Sequence, residues 1–185
     1  MSYAKLLGLT FSCVSFVMNI IALVGTYWLR DNASKFLHEG IWQQCMNNTC
    51  LIINGKEYID VTRTFILLSS VVLQFVMVTS CLAFFDCPIG RFTASFVSFI
   101  LNSISAVFLL IALVVYTLEE HLDASSSSAR YGWAYFLCWT SVLFSCIAAF
   151  AQYRAHRSTP ATSYEPMQEG EGEEREESDN LNGQS

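Results

Sequence analysis

Four long apolar stretches, separated by short polar segments, dominate the pattern of the chain. They run over about 6–28, 65–85, 92–116 and 133–153, and none of them contains Asp, Glu, Lys or Arg. A helix needs about 20 mostly apolar residues to cross a bilayer core of roughly 30 Å. The pattern therefore predicts an all-α membrane protein with four transmembrane helices, a first loop over about 29–64 and a second loop over about 117–132.

The first stretch follows Lys5 and has to be distinguished from a secretory signal peptide. Its apolar part is longer than the usual 7 to 15 or so residues, and a convincing small-x-small cleavage site is missing from it. We therefore interpret it as a retained span.

Composition agrees with this reading. Apolar residues make up 53% and charged residues 14% of the 185 residues, whereas soluble proteins carry about 25% charged residues. Most of the formal net charge of −6 comes from a C-terminal segment that holds half of the acidic residues. We predict a membrane domain over 1–153 and a disordered acidic cytosolic tail over 154–185, and we do not expect nucleic acid as a partner.

The side of the membrane on which the loops lie is decided by the first loop, because basic residues are balanced between the two sides. It carries two glycosylation sequons, at Asn32 and Asn47, and the cysteines Cys45 and Cys50. Sequons and paired cysteines suit the secretory lumen. We expect an outside first loop, both termini in the cytosol, and a multi-pass protein of the plasma membrane, with cell junctions as a candidate location.

The first loop also carries signals for a small antiparallel sheet. Asn54-Gly55 separates two runs of strand-forming residues, 50–53 and 56–59, and Asn-Gly between such runs favours a hairpin. A second tight reversal is predicted between Cys45 and Cys50, where the two cysteines could lie on adjoining strands and close a disulfide. Such a bond would stabilise a sheet too small to hold its own core.

A metal site and an enzyme are the alternatives for these residues. His38, Cys45 and Cys50 match no standard zinc spacing, so we expect no metal and no cofactor. A cysteine nucleophile needs an adjacent base, and the histidines lie outside the spans at His38, His121 and His156. We therefore predict no catalytic residue and no enzyme. Cys87, just beyond the second span, is a candidate for palmitoylation.

The first three spans contain one amide side chain each, Asn19, Gln74 and Asn102. An amide in hydrocarbon needs a hydrogen-bonding partner, and we interpret all three as interhelical contacts that hold the bundle together. A small and polar stripe recurs at helical spacing and should face another helix rather than lipid: Ala94, Ser98, Asn102 and Ser105. Without groups that ionise near neutrality, apart from thiols, the spans do not predict conduction.

Several motifs together resemble a known family. Trp28 ends the first span, Gly40-Ile41-Trp42 precedes Cys45 and Cys50, and Arg63 opens the second span. This pattern is similar to the superfamily of claudins, peripheral myelin protein 22, the epithelial membrane proteins and lens-fibre intrinsic membrane protein. The short gap between the cysteines, with Ile41 where claudins usually have Leu, resembles the lens-fibre and epithelial membrane branch, which includes natural-killer-cell granule protein.

The resemblance implies a left-handed four-helix bundle capped by a small extracellular antiparallel β-sheet, to which the second loop adds a strand. It also implies a non-enzymatic protein that organises membranes or cell contacts through its disulfide-closed first loop. Its partners would be the lipid bilayer and other membrane proteins, including further copies of itself as a homo-oligomer. The alternatives are an auxiliary subunit of a channel, receptor or pump, a granule-membrane protein, or a paracellular barrier.

Overall fold

The computed structural model describes residues 2–31, 37–46, 49–53, 55–85, 88–89, 92–122 and 129–158. Four helices form a bundle, and short strands occupy the loops at both of its ends. In chain order the elements are α1 (Ser2–Val24), β1 (Leu29–Asp31), β2 (Leu37–Glu39), β3 (Gln43–Met46), β4 (Thr49–Ile52), α2 (Glu57–Phe84), β5 (Pro88–Ile89), β6 (Phe92–Thr93), α3 (Ala94–Leu122), β7 (Ala129–Tyr131) and α4 (Trp133–Arg157).

The four predicted spans are confirmed as helices that are long and apolar enough to cross a membrane. Their ends differ from the apolar stretches. α1 ends at Val24 rather than at about residue 28, because Leu29 already pairs in the sheet. α2 begins at Glu57, eight residues before the apolar stretch. The backbone hydrogen bonds of a helix do not depend on apolar side chains, so a helix can extend beyond the bilayer into polar residues.

One predicted hairpin is wrong. Residues 56–59 form no strand opposite 50–53, because α2 already starts at Glu57. Gly55 has the positive φ of +92° that the Asn-Gly signal indicates, but the turn leads from β4 into a helix. A positive φ at a glycine specifies a change of chain direction and leaves the next element undetermined.

The sheet has five strands in the order β4-β3-β2-β1-β7, and all neighbouring strands are antiparallel. Four of them come from the first loop, for which the sequence predicted a small antiparallel sheet without specifying the number of strands. The fifth, β7, comes from the second loop and pairs Leu29 with Tyr131. The sheet therefore joins both loops at one end of the bundle, and β4 and β7 are its edges.

Two kinds of interior lie along the bundle. Beneath the sheet, large apolar side chains pack together, with Trp28, Ile41 and Ile59 at most 1% exposed. Away from the sheet the interior contains many polar groups among apolar side chains, and each helix contributes buried hydroxyl or amide groups to it. These include Ser12, Ser15, Asn19, Ser69, Ser70, Ser80, Ser95, Ser98, Asn102, Ser105, Ser141, Ser145 and Gln152.

Candidate functional site at the sheet

Trp28 connects the first helix to the sheet. Its indole Nε1 donates to the carbonyl of Ala22, at 2.8 Å, and its ring meets Tyr116 and Tyr135 edge-on. Its backbone pairs with Glu39 and Gly132 on either side. The side chain is fully buried, so Trp28 is a packing residue rather than an anchor at the membrane surface.

Two glycines allow close contact with the segment that links α1 to β1. A Cβ at Gly40 would lie 2.8 Å from Thr26 Cα, and a Cβ at Gly132 would lie 2.1 Å from the carbonyl oxygen of Tyr27. These neighbours are backbone atoms, which cannot move aside as a flexible side chain can. The Gly40 of the sequence motif is thus explained by contact between two backbones.

Arg63 joins α2 to the sheet. Its guanidinium donates to the backbone carbonyls of Ile41 and Ile53, pairs with Asp60, and lies over the ring of Trp42. Trp42 Nε1 in turn donates to the carbonyl of Leu23 at the end of α1, at 2.8 Å. The side chains of Trp28, Trp42 and Arg63 therefore attach the sheet to the ends of α1 and α2.

Cys45 and Cys50 are directly opposite each other across β3 and β4 and form a disulfide, with their Cα atoms 4.0 Å apart. The bond closes the hairpin at the edge of the sheet. All four residues of β4 are exposed, and the side chains of Leu51 and Ile52 are 69% and 77% exposed. The edge strand therefore presents apolar side chains next to backbone groups that face away from the sheet.

Two ion pairs form among the described charged groups of the first loop, Glu39 with Lys56 and Asp60 with Arg63. Glu39 is buried and accepts a hydrogen bond from Lys56 Nζ at 2.9 Å. Burial alone would lower the pKa of Lys56, but the hydrogen bond and the charge of Glu39 outweigh it, and the net effect is to raise the pKa above its ordinary value. Sequence reasoning missed this pair, because the two residues lie 17 positions apart and meet only through the sheet.

The polar interior is a hydrogen-bonded network that reaches all four helices. Gln152 Nε2 donates to Ser80 Oγ at 2.8 Å, and Gln152 Oε1 accepts from Asn102 Nδ2 at 2.8 Å. Asn102 also donates to Ser12 Oγ, at 3.1 Å. Gln152 was not singled out from the sequence, although Ser141, Ser145, Ala148 and Gln152 recur at helical spacing.

The predictions for the amides therefore hold in part. Asn19 donates to Ser70 and Asn102 joins the network, as expected. The stripe from Ala94 to Ser105 is buried against neighbouring helices, which confirms its predicted orientation. Gln74 contradicts the prediction, because it faces outward on α2 and forms no hydrogen bond with any described residue.

Other predicted sites are located as follows. Asn32, Asn47 and Cys87 lie outside the described residues, so their modification stays a prediction. Cys45 and Cys50 are bonded to each other in the disulfide, and the ring of His38 stacks on that of Tyr27, with the ring centroids 4.3 Å apart. Within the described ranges, no three His, Cys, Asp or Glu side chains are grouped to hold a metal.

Comparison with known proteins agrees with this architecture. The family model described as the PMP-22/EMP/MP20/Claudin family matches residues 2–150. Lens fiber membrane intrinsic protein of Homo sapiens is 28% identical over 165 residues, covering 83% of this chain and 95% of the relative. Claudin domain-containing protein 2 of Mus musculus is 26% identical, over 86% of this chain and 93% of the relative. Protein NKG7 of Bos taurus is 25% identical, over 90% and 100%.

Proposed function

Because the chain belongs to the PMP-22/EMP/MP20/Claudin family, we propose that it is a non-enzymatic protein that organises membranes or cell contacts through its five-stranded sheet. It is a multi-pass membrane protein with four helices of sufficient length and apolarity to span the bilayer. The working surface in this proposal is the hairpin formed by β3 and β4.

The proposal places the sheet outside the cell at the plasma membrane, with both termini in the cytosol. A disulfide persists in an oxidising compartment, and the Cys45–Cys50 bond lies at the sheet. The predicted sequons at Asn32 and Asn47 belong to the same loop. The second loop supplies β7 to that sheet, so both loops share one side of the membrane.

A single observation carries the proposal, namely the exposed apolar edge of β4. A strand edge has backbone donors and acceptors ready to pair, and proteins usually protect such edges with charge or cover. Here Leu51 and Ile52 add apolar surface instead, which favours docking of another protein by strand addition. The rigid attachment of the sheet through Arg63 and Trp42 would hold that edge at a fixed orientation to the membrane.

Imaging of mixed cells tests this proposal. Two populations of adherent cells, each expressing the full chain with a different fluorescent tag, are mixed, and enrichment is measured where unlike cells touch. We expect both colours to gather at shared contacts, and the double change Leu51→Lys and Ile52→Lys to abolish the enrichment, because the lysines make edge pairing unfavourable.

A matched control keeps the result specific. Leu122, at the sheet end of α3, is 75% exposed, and Leu122→Lys adds charge at that end of the bundle but away from β4. Surface biotinylation and an intact Cys45–Cys50 bond show that each variant is folded and delivered. Equal enrichment of the β4 variant and the Leu122 variant would contradict the proposal.

The alternative functions are less well supported. An auxiliary subunit that used the stripe from Ala94 to Ser105 as its interface is disfavoured, because those residues are internal. Ion selection by loop acids is also disfavoured, since Glu39 pairs with Lys56 and Asp60 pairs with Arg63.

A further inference from the structure

Gln74 lies on the outer face of α2, in the middle of the membrane. It is ten residues before Phe84, the last residue of the helix, which places it about 15 Å from that end, half of a bilayer core of about 30 Å. An amide at this depth has no water to bond with, and within the described part of the chain no group accepts from it or donates to it. Its hydrogen-bonding capacity is unused in the monomer.

The surface around Gln74 has the geometry of a helix-packing seam. Residues on this face of α2 recur at alternating spacings of four and three and are all exposed: Leu67, Val71, Gln74, Val78 and Cys81. This is the spacing by which two helices pack in a left-handed crossing. In such seams a single polar residue among apolar ones fixes the register of the partners. We call this set the α2 seam.

We propose that the α2 seam binds the α2 seam of a second copy of this chain, with the two Gln74 amides hydrogen-bonded to each other at the bilayer midplane. A primary amide carries both donors and an acceptor, so it is its own complement. Two copies inserted with the same topology are related by a twofold axis along the membrane normal, which brings each seam residue opposite its own counterpart. The remaining seam residues are uncharged, so like meets like without repulsion.

This lateral contact is separate from the docking edge of β4. The seam lies within the membrane, whereas β4 lies at the sheet end of the bundle. The inference requires only that the chain spans the bilayer, so its failure and the failure of the sheet proposal can be told apart. Together the two surfaces would let one molecule bind a neighbour in its own membrane and another protein at the edge of its sheet.

Cys81 provides a direct test, because the symmetric arrangement places it opposite its counterpart. The full chain carries Cys13→Ala, because that thiol lies near Cys81 in the same molecule, and Cys87→Ala, because that thiol follows Cys81 by six residues in the sequence. It is expressed in cells, and membranes are treated with copper phenanthroline before non-reducing electrophoresis. We expect a disulfide-linked dimer that disappears with Cys81→Ala and persists with Cys146→Ala. Cys146 is the matched control, since it is exposed on α4 instead.

Gln74→Leu tests the amide itself. Resonance energy transfer between two tagged copies, titrated by expression level, should report a fall of about five- to tenfold in the apparent association constant, from the loss of two interhelical hydrogen bonds. Gln74→Asn keeps an amide and should retain more association than Gln74→Leu. Both variants should reach the membrane with an intact Cys45–Cys50 bond, because leucine is better tolerated than glutamine in lipid.

Three outcomes would overturn the inference. Equal cross-linking through Cys81 and Cys146 would indicate random collision, and an unchanged association constant in Gln74→Leu would remove the amide from the interface. If the Gln74→Leu protein still self-associated but no longer co-purified with a different membrane protein, the α2 seam would bind that protein instead of a second copy. The β4 lysine variant should still dimerise, which keeps this test independent of the contact assay.

Discussion

The guanidinium of Arg63 lies over the indole ring of Trp42, with Cζ 5.1 Å from the ring centroid. The same guanidinium donates to two backbone carbonyls, and Trp42 donates to a third at the end of α1. Two side chains thus hold the loop between α1 and α2 in place. This geometry needs a guanidinium, because only a planar cation can stack on a ring and donate hydrogen bonds in several directions at once.

Arg63→Lys should therefore destabilise the protein although it keeps the charge. A lysine ammonium cannot reach both carbonyls while it lies over the indole, so one carbonyl loses its partner, at a cost of about 1–3 kcal/mol. Thermal unfolding in detergent measures the loss. Arg130→Lys, at an exposed arginine of β7, is the matched control, and an equal effect of both changes would contradict the special role of Arg63.

Removal of the disulfide should loosen the sheet and leave the bundle intact. Replacing Cys45 and Cys50 with serine opens a short loop, and the chain-entropy model gives a loss of about 2 kcal/mol for a loop of this length. Hydrogen exchange is the appropriate measurement, because it separates the two regions. We expect faster exchange over 43–46 and 49–52 with the helices unchanged, and a uniform loss of protection would show that the bond supports the whole fold.

Lys56→Met should be more harmful than the double change Lys56→Met with Glu39→Gln. The single change leaves the buried carboxylate of Glu39 unpaired, at a cost of roughly 1–3 kcal/mol, whereas the double change removes the charge as well. Unfolding of the three proteins in the same detergent measures the difference. Equal stability of the two variants would mean that solvent reaches Glu39.

The pair also predicts a pH dependence. The pKa of Lys56 is raised in the folded protein, so its stabilising effect is complete below the ordinary lysine pKa of about 10.4 and is lost only as the pH rises beyond it. The difference in unfolding free energy between the native protein and the Lys56→Met protein should hence stay constant between about pH 7 and pH 9. A decline within this window would contradict the raised pKa.

Gln152→Leu and Gln74→Leu should have opposite signatures, although the substitution is the same. Gln152 is buried and bonds with Asn102 and Ser80, so its loss should destabilise the monomer by about 1–3 kcal/mol. Gln74 faces outward, so its loss should leave monomer stability unchanged. Unfolding of both variants at a protein-to-detergent ratio that keeps them monomeric distinguishes the two, and similar losses would show that Gln74 has an internal partner.

The contrast between these two glutamines shows how far sequence reasoning reaches. The hydropathy pattern was sufficient to predict the four helices, because the length of a membrane-spanning helix follows from the bilayer thickness. Hydropathy could not predict which way Gln74 faces. A single amide in an apolar stretch shows that a polar group must be accommodated, but it does not show whether that group faces the bundle interior or the lipid. The stripe containing Asn102 was oriented correctly because four small or polar residues share one helical face.

The sheet was predictable in outline and not in its connections. The reversal between Cys45 and Cys50 was correct, since both residues lie within one hairpin. Gly40 is needed because its backbone lies against that of Thr26, and Glu39 is paired because it meets Lys56. Both contacts depend on how the sheet is attached to the bundle. Pairing of β1 with β7 brings together residues about 100 positions apart, and no local pattern encodes such a contact.

The polar interior of the bundle has a consequence for assembly. Of the four spans, α4 is the least apolar, and its Ser141, Ser145 and Gln152 form hydrogen bonds with groups on the other helices. Until α4 docks, those hydroxyl and amide groups face acyl chains. A copy in which α4 has not docked therefore leaves these polar groups unpaired in the bilayer, so hydrogen bonding in the interior is complete only once the last helix is in place.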